Sequence, residues 1–229
     1  MKTLTVSMTQ EETTFGWAYF LVQFFLLPSL LRTANGLFSS PLSKAQINIL
    51  YFTLNFAATG LIFRKFLLRS FQILRENPIR VLRYACIFLS LYFLSNYLCS
   101  WVAHTLRPDF ANRNDQSISI MLQEQPLLMR IGTVFLVPMA EETLFRGLIF
   151  QGLYRKNRLL AYGISTLAFG AVHVMGYIGQ YDPALLTLSL LQYLPAGIIL
   201  GLAYAKTDTI WAPIAMHIAI NQVGILSMA

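Results

Sequence analysis

The sequence predicts an all-α chain: a polytopic transmembrane helix bundle of about seven spans. Three observations predict it. Hydrophobic residues fill 56% of the 229 positions and mean hydropathy is +0.56. Charged residues make up only 12%, about half the roughly 25% of a soluble chain. Uncharged apolar runs of about 20 residues, the length that crosses a bilayer, recur along the chain. The same composition excludes a disordered chain, which needs low hydrophobicity, and two cysteines are too few for a disulfide scaffold.

Each span follows from its run. Thr14 to Leu31 is short but uncharged and rich in Phe, Trp and Leu, and it reads as the first. Only Lys2 precedes it and no small-residue cleavage site follows, so it is expected to be retained rather than removed as a signal peptide. Ala45 to Phe63 is the second and Tyr84 to Ala103 the third. Between them the basic loop 64–83 holds Leu67, Leu68, Phe71 and Leu74 at helical spacing before Pro78, which predicts an interfacial helix among the headgroups. Cys86 and Cys99 lie 13 residues apart on the third span, about 20 Å along the axis, too far to pair. Ile131 to Leu153 has the length of a fourth span although it carries Glu141, Glu142 and Arg146. Leu159 to Met175, Ala184 to Ala205 and Thr209 to Ala229 complete the seven. The chain is thus expected as a single membrane domain. Residues 1–125 contribute three spans, the basic loop and a polar loop 104–125, and residues 126–229 contribute the remaining four spans.

The formal charge is +7, from seventeen Lys and Arg against ten Asp and Glu. Lys and Arg in alternate loops number eleven on one side and five on the other. The positive-inside rule then places the N-terminus in the cytoplasm of a multi-pass protein, for which a bacterial plasma membrane is expected. The excess charge describes orientation against an anionic leaflet, and no nucleic-acid partner is expected. The expected partners are the lipid bilayer and a membrane-associated peptide or protein; the oligomeric state is left open.

An ionisable group at the centre of a membrane helix costs about 2.5–3.5 kcal/mol on insertion scales, so it needs a partner or a water-filled space. The fourth span holds three within six residues. Glu142 and Arg146 lie one turn apart on one stripe, the spacing of an ion pair, and either neutralise one another as structure or take part in chemistry. Glu141 points about 100° away, with Phe145, and is free to face another helix. A carboxylate with no neighbouring cation in an apolar surround suits a general base. Its candidate partners are His173, one turn after Phe169 on the fifth span, and His217 with Asn221, one turn apart on the seventh. Together Glu, His, His and Asn suffice to activate a water molecule and to stabilise an oxyanion, which is peptide-bond hydrolysis without a covalent intermediate. At 1.5 Å per residue, Glu141 lies about 15 Å from the outer face, His173 about 21 Å from the inner face and His217 about 11 Å from it. These depths agree only to within roughly 10 Å, and Pro138, Pro195 and Pro213 suggest irregular helices near the site.

The three motifs in this order resemble those of the CPBP family of intramembrane proteases, the CAAX-processing and bacteriocin-processing group also called Abi or Rce1-like. The first is E-E-x-x-x-R, at Glu141, Glu142 and Arg146, extended by Phe145 and Gly147. The second is F-x-x-x-H, at Phe169 and His173, and the third is H-x-x-x-N, at His217 and Asn221. The resemblance covers about Arg130 to Ala229. It implies a helix bundle around a water-accessible intramembrane cavity. It also implies that Glu141 activates water with help from His173, that His217 and Asn221 form the oxyanion site, and that Glu142, Arg146 and Phe169 support the architecture. Family members in eukaryotes and archaea remove the last three residues after a prenylated Cys, whereas many bacterial relatives are associated with bacteriocin immunity, peptide processing or regulation of membrane sensors.

Two other readings compete with a metal-independent glutamic-type endopeptidase that needs no cofactor. Two His and one Glu are also the ligand set of catalytic zinc sites, although H-E-x-x-H is absent and the ligands come from three helices. A non-enzymatic immunity or regulatory protein, or a small transporter, could use the same polar cluster for binding.

Overall fold

The structure, a computed structural model, describes residues 4–228. Lys2, used in the charge count, and Ala229, at the end of the seventh span, lie outside the described residues. Among those described there is no strand, and the chain is a polytopic bundle of helices. They run α1 (Gln10–Gly36), α2 (Lys44–Ile62), α3 (Arg64–Glu76), α4 (Pro78–Leu106), α5 (Arg113–Glu124), α6 (126–154), α7 (Arg158–Tyr177), α8 (Pro183–Thr207) and α9 (Trp211–Met228). Five of these, α1, α2, α4, α7 and α8, are long and apolar enough to cross a membrane, against the seven spans expected. The fourth and seventh expected spans exist as the helices α6 and α9. They fall short on composition because of polar residues, most of them in the site: α6 carries Arg130, Glu141, Glu142 and Arg146, and α9 carries His217, Asn221 and Gln222.

Helix α1 widens into a π-turn once and α6 twice; a proline follows the first two of these, and none lies in the third, Thr143–Phe150. In α1 the widened turn is Val22–Leu26, followed by Pro28; in α6 the first is Gly132–Leu136, followed by Pro138. The N–H of Leu27 reaches back to Val22 and that of Val137 to Gly132, so the next carbonyls, on Gln23 and Thr133, would be served by residues 28 and 138. A proline has no N–H to give. Each orphaned carbonyl is instead taken by a side chain of a neighbouring helix, Tyr51 OH donating to Gln23 O (3.4 Å) and Asn221 Nδ2 to Thr133 O (2.8 Å). The irregularity that proline imposes thus becomes a cross-link between helices.

One end of the bundle is closed by short polar ties. Asp208, in the left-handed conformation that ends α8 (φ 64°), accepts from Thr5 N at 2.8 Å and Thr5 Oγ1 at 2.6 Å. Leu4, Phe63, Phe66, Phe150, Tyr204 and Ile210 form a buried cluster beside these ties. Helix α3, expected as an interfacial helix, is helical but only half turned outward. Phe66, Leu67 and Ser70 are buried against the start of α9, while Leu68 and Phe71 remain exposed. Ser70 accepts from Ile210 N (2.8 Å) and from Thr209 Oγ1 (2.7 Å, at its carbonyl), and Leu67 O accepts from Trp211 Nε1 (3.1 Å). Thr207, Thr209 and Ile210 are buried, so α9 begins inside the protein rather than at its surface. The loop expected at 104–125 is largely the helix α5. Cys86 and Cys99 are both free.

Candidate active site

The site is built where α6, α7, α8 and α9 meet, and the residue at its centre is Glu142. Its side chain is fully buried, and one oxygen, Oε1, accepts from Arg146 Nη1 at 2.8 Å and from His217 Nδ1 at 2.8 Å. Arg146 is also fully buried. It sits 4.3 Å from the centroid of the Phe169 ring, and its Nη2 donates to Ala196 O (3.2 Å) and Gly197 O (3.4 Å) on α8. A buried guanidinium that meets a carboxylate, an aromatic face and two carbonyls has its charge balanced and its donors largely used. Gly197 is required there: a Cβ on it would lie 2.5 Å from Thr166 Cγ2, so only glycine lets α8 approach α7 this closely. The ion pair expected between Glu142 and Arg146 is present, but Glu142 has a second partner that helical spacing within one segment could not show.

That second bond sets the chemistry of His217. A carboxylate only accepts, so Nδ1 of His217 carries the proton and Nε2 is turned away from Glu142. Nε2 lies 3.9 Å from Glu141 Oε2. His173 is arranged in the same sense from the other side: its Nδ1 donates to Phe169 O at 2.7 Å, and its Nε2 lies 3.9 Å from Glu141 Oε1. Glu141 therefore stands between two imidazoles, each presenting Nε2. A separation of 3.9 Å is too long for a direct hydrogen bond and suits a group held between the two partners. The Glu141 side chain keeps 18% exposure and that of His173 14%, whereas Glu142 has none. Phe169 is the shared wall, 4.8 Å from the His173 ring and 5.8 Å from the His217 ring between centroids. A groove of about 510 Å³ between α4 and α8 is lined almost wholly by apolar side chains such as Leu98, Leu191 and Ile198, and Glu141 is not among them.

The structure thus brings together six of the seven residues expected from the motifs: Glu141, Glu142, Arg146, Phe169, His173 and His217. Asn221, the seventh, is placed by its bond to Thr133 O on α6, eight residues before Glu141. The 3.9 Å separations bring Glu141, His173 and His217 to one level, which the depths counted from the expected span ends matched only to within roughly 10 Å. Among the described residues no group of three or more His, Cys, Asp or Glu is arranged to hold a metal ion.

Residues 123–223 match the family model described as Type II CAAX prenyl endopeptidase Rce1-like. A Bacillus subtilis (strain 168) protein named "Putative membrane peptidase YdiL" is 32% identical over 111 residues, which is 48% of this chain and 41% of that protein. The match therefore spans less than half of the relative's length. No solved structure matches the chain. The matched stretch carries all three motifs and every residue of the candidate site.

Proposed function

We propose that the chain is an intramembrane endopeptidase that hydrolyses a peptide bond of a membrane-associated substrate with water activated by Glu141. The observation that carries the proposal is the placing of Glu141 between the two Nε2 atoms, 3.9 Å from each, at a partly open position. A water molecule held between Glu141 Oε1 and His173 Nε2 gives a proton to the carboxylate, and its oxygen attacks the substrate carbonyl carbon. The carbonyl oxygen becomes an oxyanion. Asn221, through the Nδ2 hydrogen that Thr133 does not take, and His217 are the donors assigned to it. The C–N bond then breaks, and the proton held by Glu141 passes to the departing amine, with His173 assisting the transfer. Glu142 keeps His217 in one orientation, and Arg146 holds the Glu142 carboxylate in place by their buried ion pair.

The family description and the name of the Bacillus subtilis relative both support a membrane peptidase. The family description favours a substrate whose cleaved segment lies beside a lipid-anchored residue, as in CAAX processing, over a bacteriocin-like peptide. The test compares the termini of membrane peptides in cells carrying wild-type or Glu141→Gln protein. New termini that depend on Glu141 support the proposal and name the substrate; identical termini sink it.

A further inference from the structure

We propose that Tyr193, held by Asn112, is a positioning residue that fixes the orientation of the His173 ring. The inference rests on the proposed role of His173. The bond from Nδ1 to Phe169 O holds one edge of that ring but leaves it free to tilt about the bond. Phe169 covers one side at 55° between planes, and Tyr193, from α8, stacks at 25° with centroids 4.2 Å apart. A near-parallel stack restrains the tilt that decides where Nε2 points.

Two further features keep Tyr193 in place. Gly170, one turn before His173, brings α8 close: a Cβ there would lie 2.7 Å from Leu190 Cδ1 and 3.5 Å from Tyr193 Cβ. The far end of the tyrosine is tied as well. Its hydroxyl donates to Asn112 Oδ1 at 3.3 Å. Asn112 is 8% exposed, caps α5 by accepting from Asn114 N at 3.0 Å, and donates from Nδ2 to Gln192 Oε1 at 2.9 Å. The ring of Tyr193 is thus fixed at its backbone end by α8 and at its hydroxyl end by the turn that precedes α5. This chain of contacts runs from the α5 cap to His173 without passing through Glu141.

The test uses the full chain in lipid vesicles with a peptide substrate found by the comparison of termini, and it reads two quantities. One is the kcat and KM of cleavage; the other is the ring signal of His173 in chain labelled at its three histidines, assigned with His173→Gln. Tyr193→Leu is expected to lower kcat about tenfold with KM within about twofold, and to move the His173 signal. Tyr193→Phe keeps the stack but loses the hydroxyl tie, and gives a smaller loss of kcat with a partial shift of the ring signal. Asn112→Ala removes the same tie together with the α5 cap and the bond to Gln192, so it should lower kcat and shift the signal at least as much as Tyr193→Phe, and Tyr193→Phe carries the test should Tyr193→Leu fail to fold. Wild-type kcat or an unmoved His173 signal in these variants overturns the proposal, as does a change confined to KM. The ring signal does not require turnover. A signal that depends on Tyr193 in a chain with no Glu141-dependent cleavage would overturn the proposed function and leave the positioning intact.

Discussion

Removing the carboxylate of Glu142 separates structure from chemistry at this site. Glu142→Gln leaves Arg146, which has no exposure at all, without its counter-charge, and breaking a buried pair on one side costs about 3–5 kcal/mol. Glu142→Gln combined with Arg146→Met removes both charges and keeps similar volumes, a change that is often close to neutral in stability. The double variant should therefore recover most of the unfolding temperature that the single variant loses. Activity behaves differently. His217 gives its Nδ1 hydrogen to Glu142 Oε1 at 2.8 Å, and a hydrogen bond to a charged group contributes about 1.5–3 kcal/mol, so cleavage should fall roughly 10- to 100-fold in both variants. Thermal unfolding in detergent and cleavage by the same preparations give the two readings. A Glu142→Gln chain as stable as wild type, or a double variant with restored cleavage, would refute the reasoning.

Asn221→Ala should lose an oxyanion donor, a fall of about 10²- to 10³-fold in kcat, and should also orphan the Thr133 carbonyl, so a lower unfolding temperature accompanies it. Exhaustive chelation should leave cleavage unchanged, with metal analysis of the purified chain as the check; stoichiometric zinc whose removal stops turnover would contradict the metal-free mechanism. Outside the spans, Arg107 and the Ala184 N–H hold the Asp182 carboxyl below the usual carboxylate range. Because the folded value is depressed, the stabilisation is present above the ordinary carboxylate range and is lost as pH falls through the folded value. The difference in unfolding temperature between wild type and Asp182→Asn should therefore be constant near neutral pH and vanish in strong acid.

Much of the site was legible because its residues violate the composition around them. Glu141, Glu142 and Arg146 interrupt an apolar run, and the helical repeat separates Glu142 from Glu141 onto different stripes. The observed partners follow that split, Glu142 with Arg146 and His217, Glu141 with the two Nε2 atoms. The bond between Glu142 and His217 was not legible, because it joins positions 75 apart on helices whose relative depth depends on where each begins. Nor was the start of α9: Ser70 and Leu67 on α3 draw it inward, and an amphipathic pattern says which residues are apolar but not which of two apolar surroundings they meet. Pro138 was visible as a source of irregularity. That its orphaned carbonyl would be the acceptor placing Asn221 requires the widened turn, which no residue pattern encodes. Tyr193 carried no signal beyond being an aromatic residue in an apolar span.

The most direct measurement is the rate at which purified chain in lipid vesicles cleaves its membrane peptide, wild type against Glu141→Gln. The substitution keeps the shape of the side chain and removes the base, so the mechanism predicts a fall of at least about a hundredfold with the unfolding temperature unchanged or raised. Cleavage retained within a few-fold of wild type would contradict the central claim that Glu141 activates the attacking water.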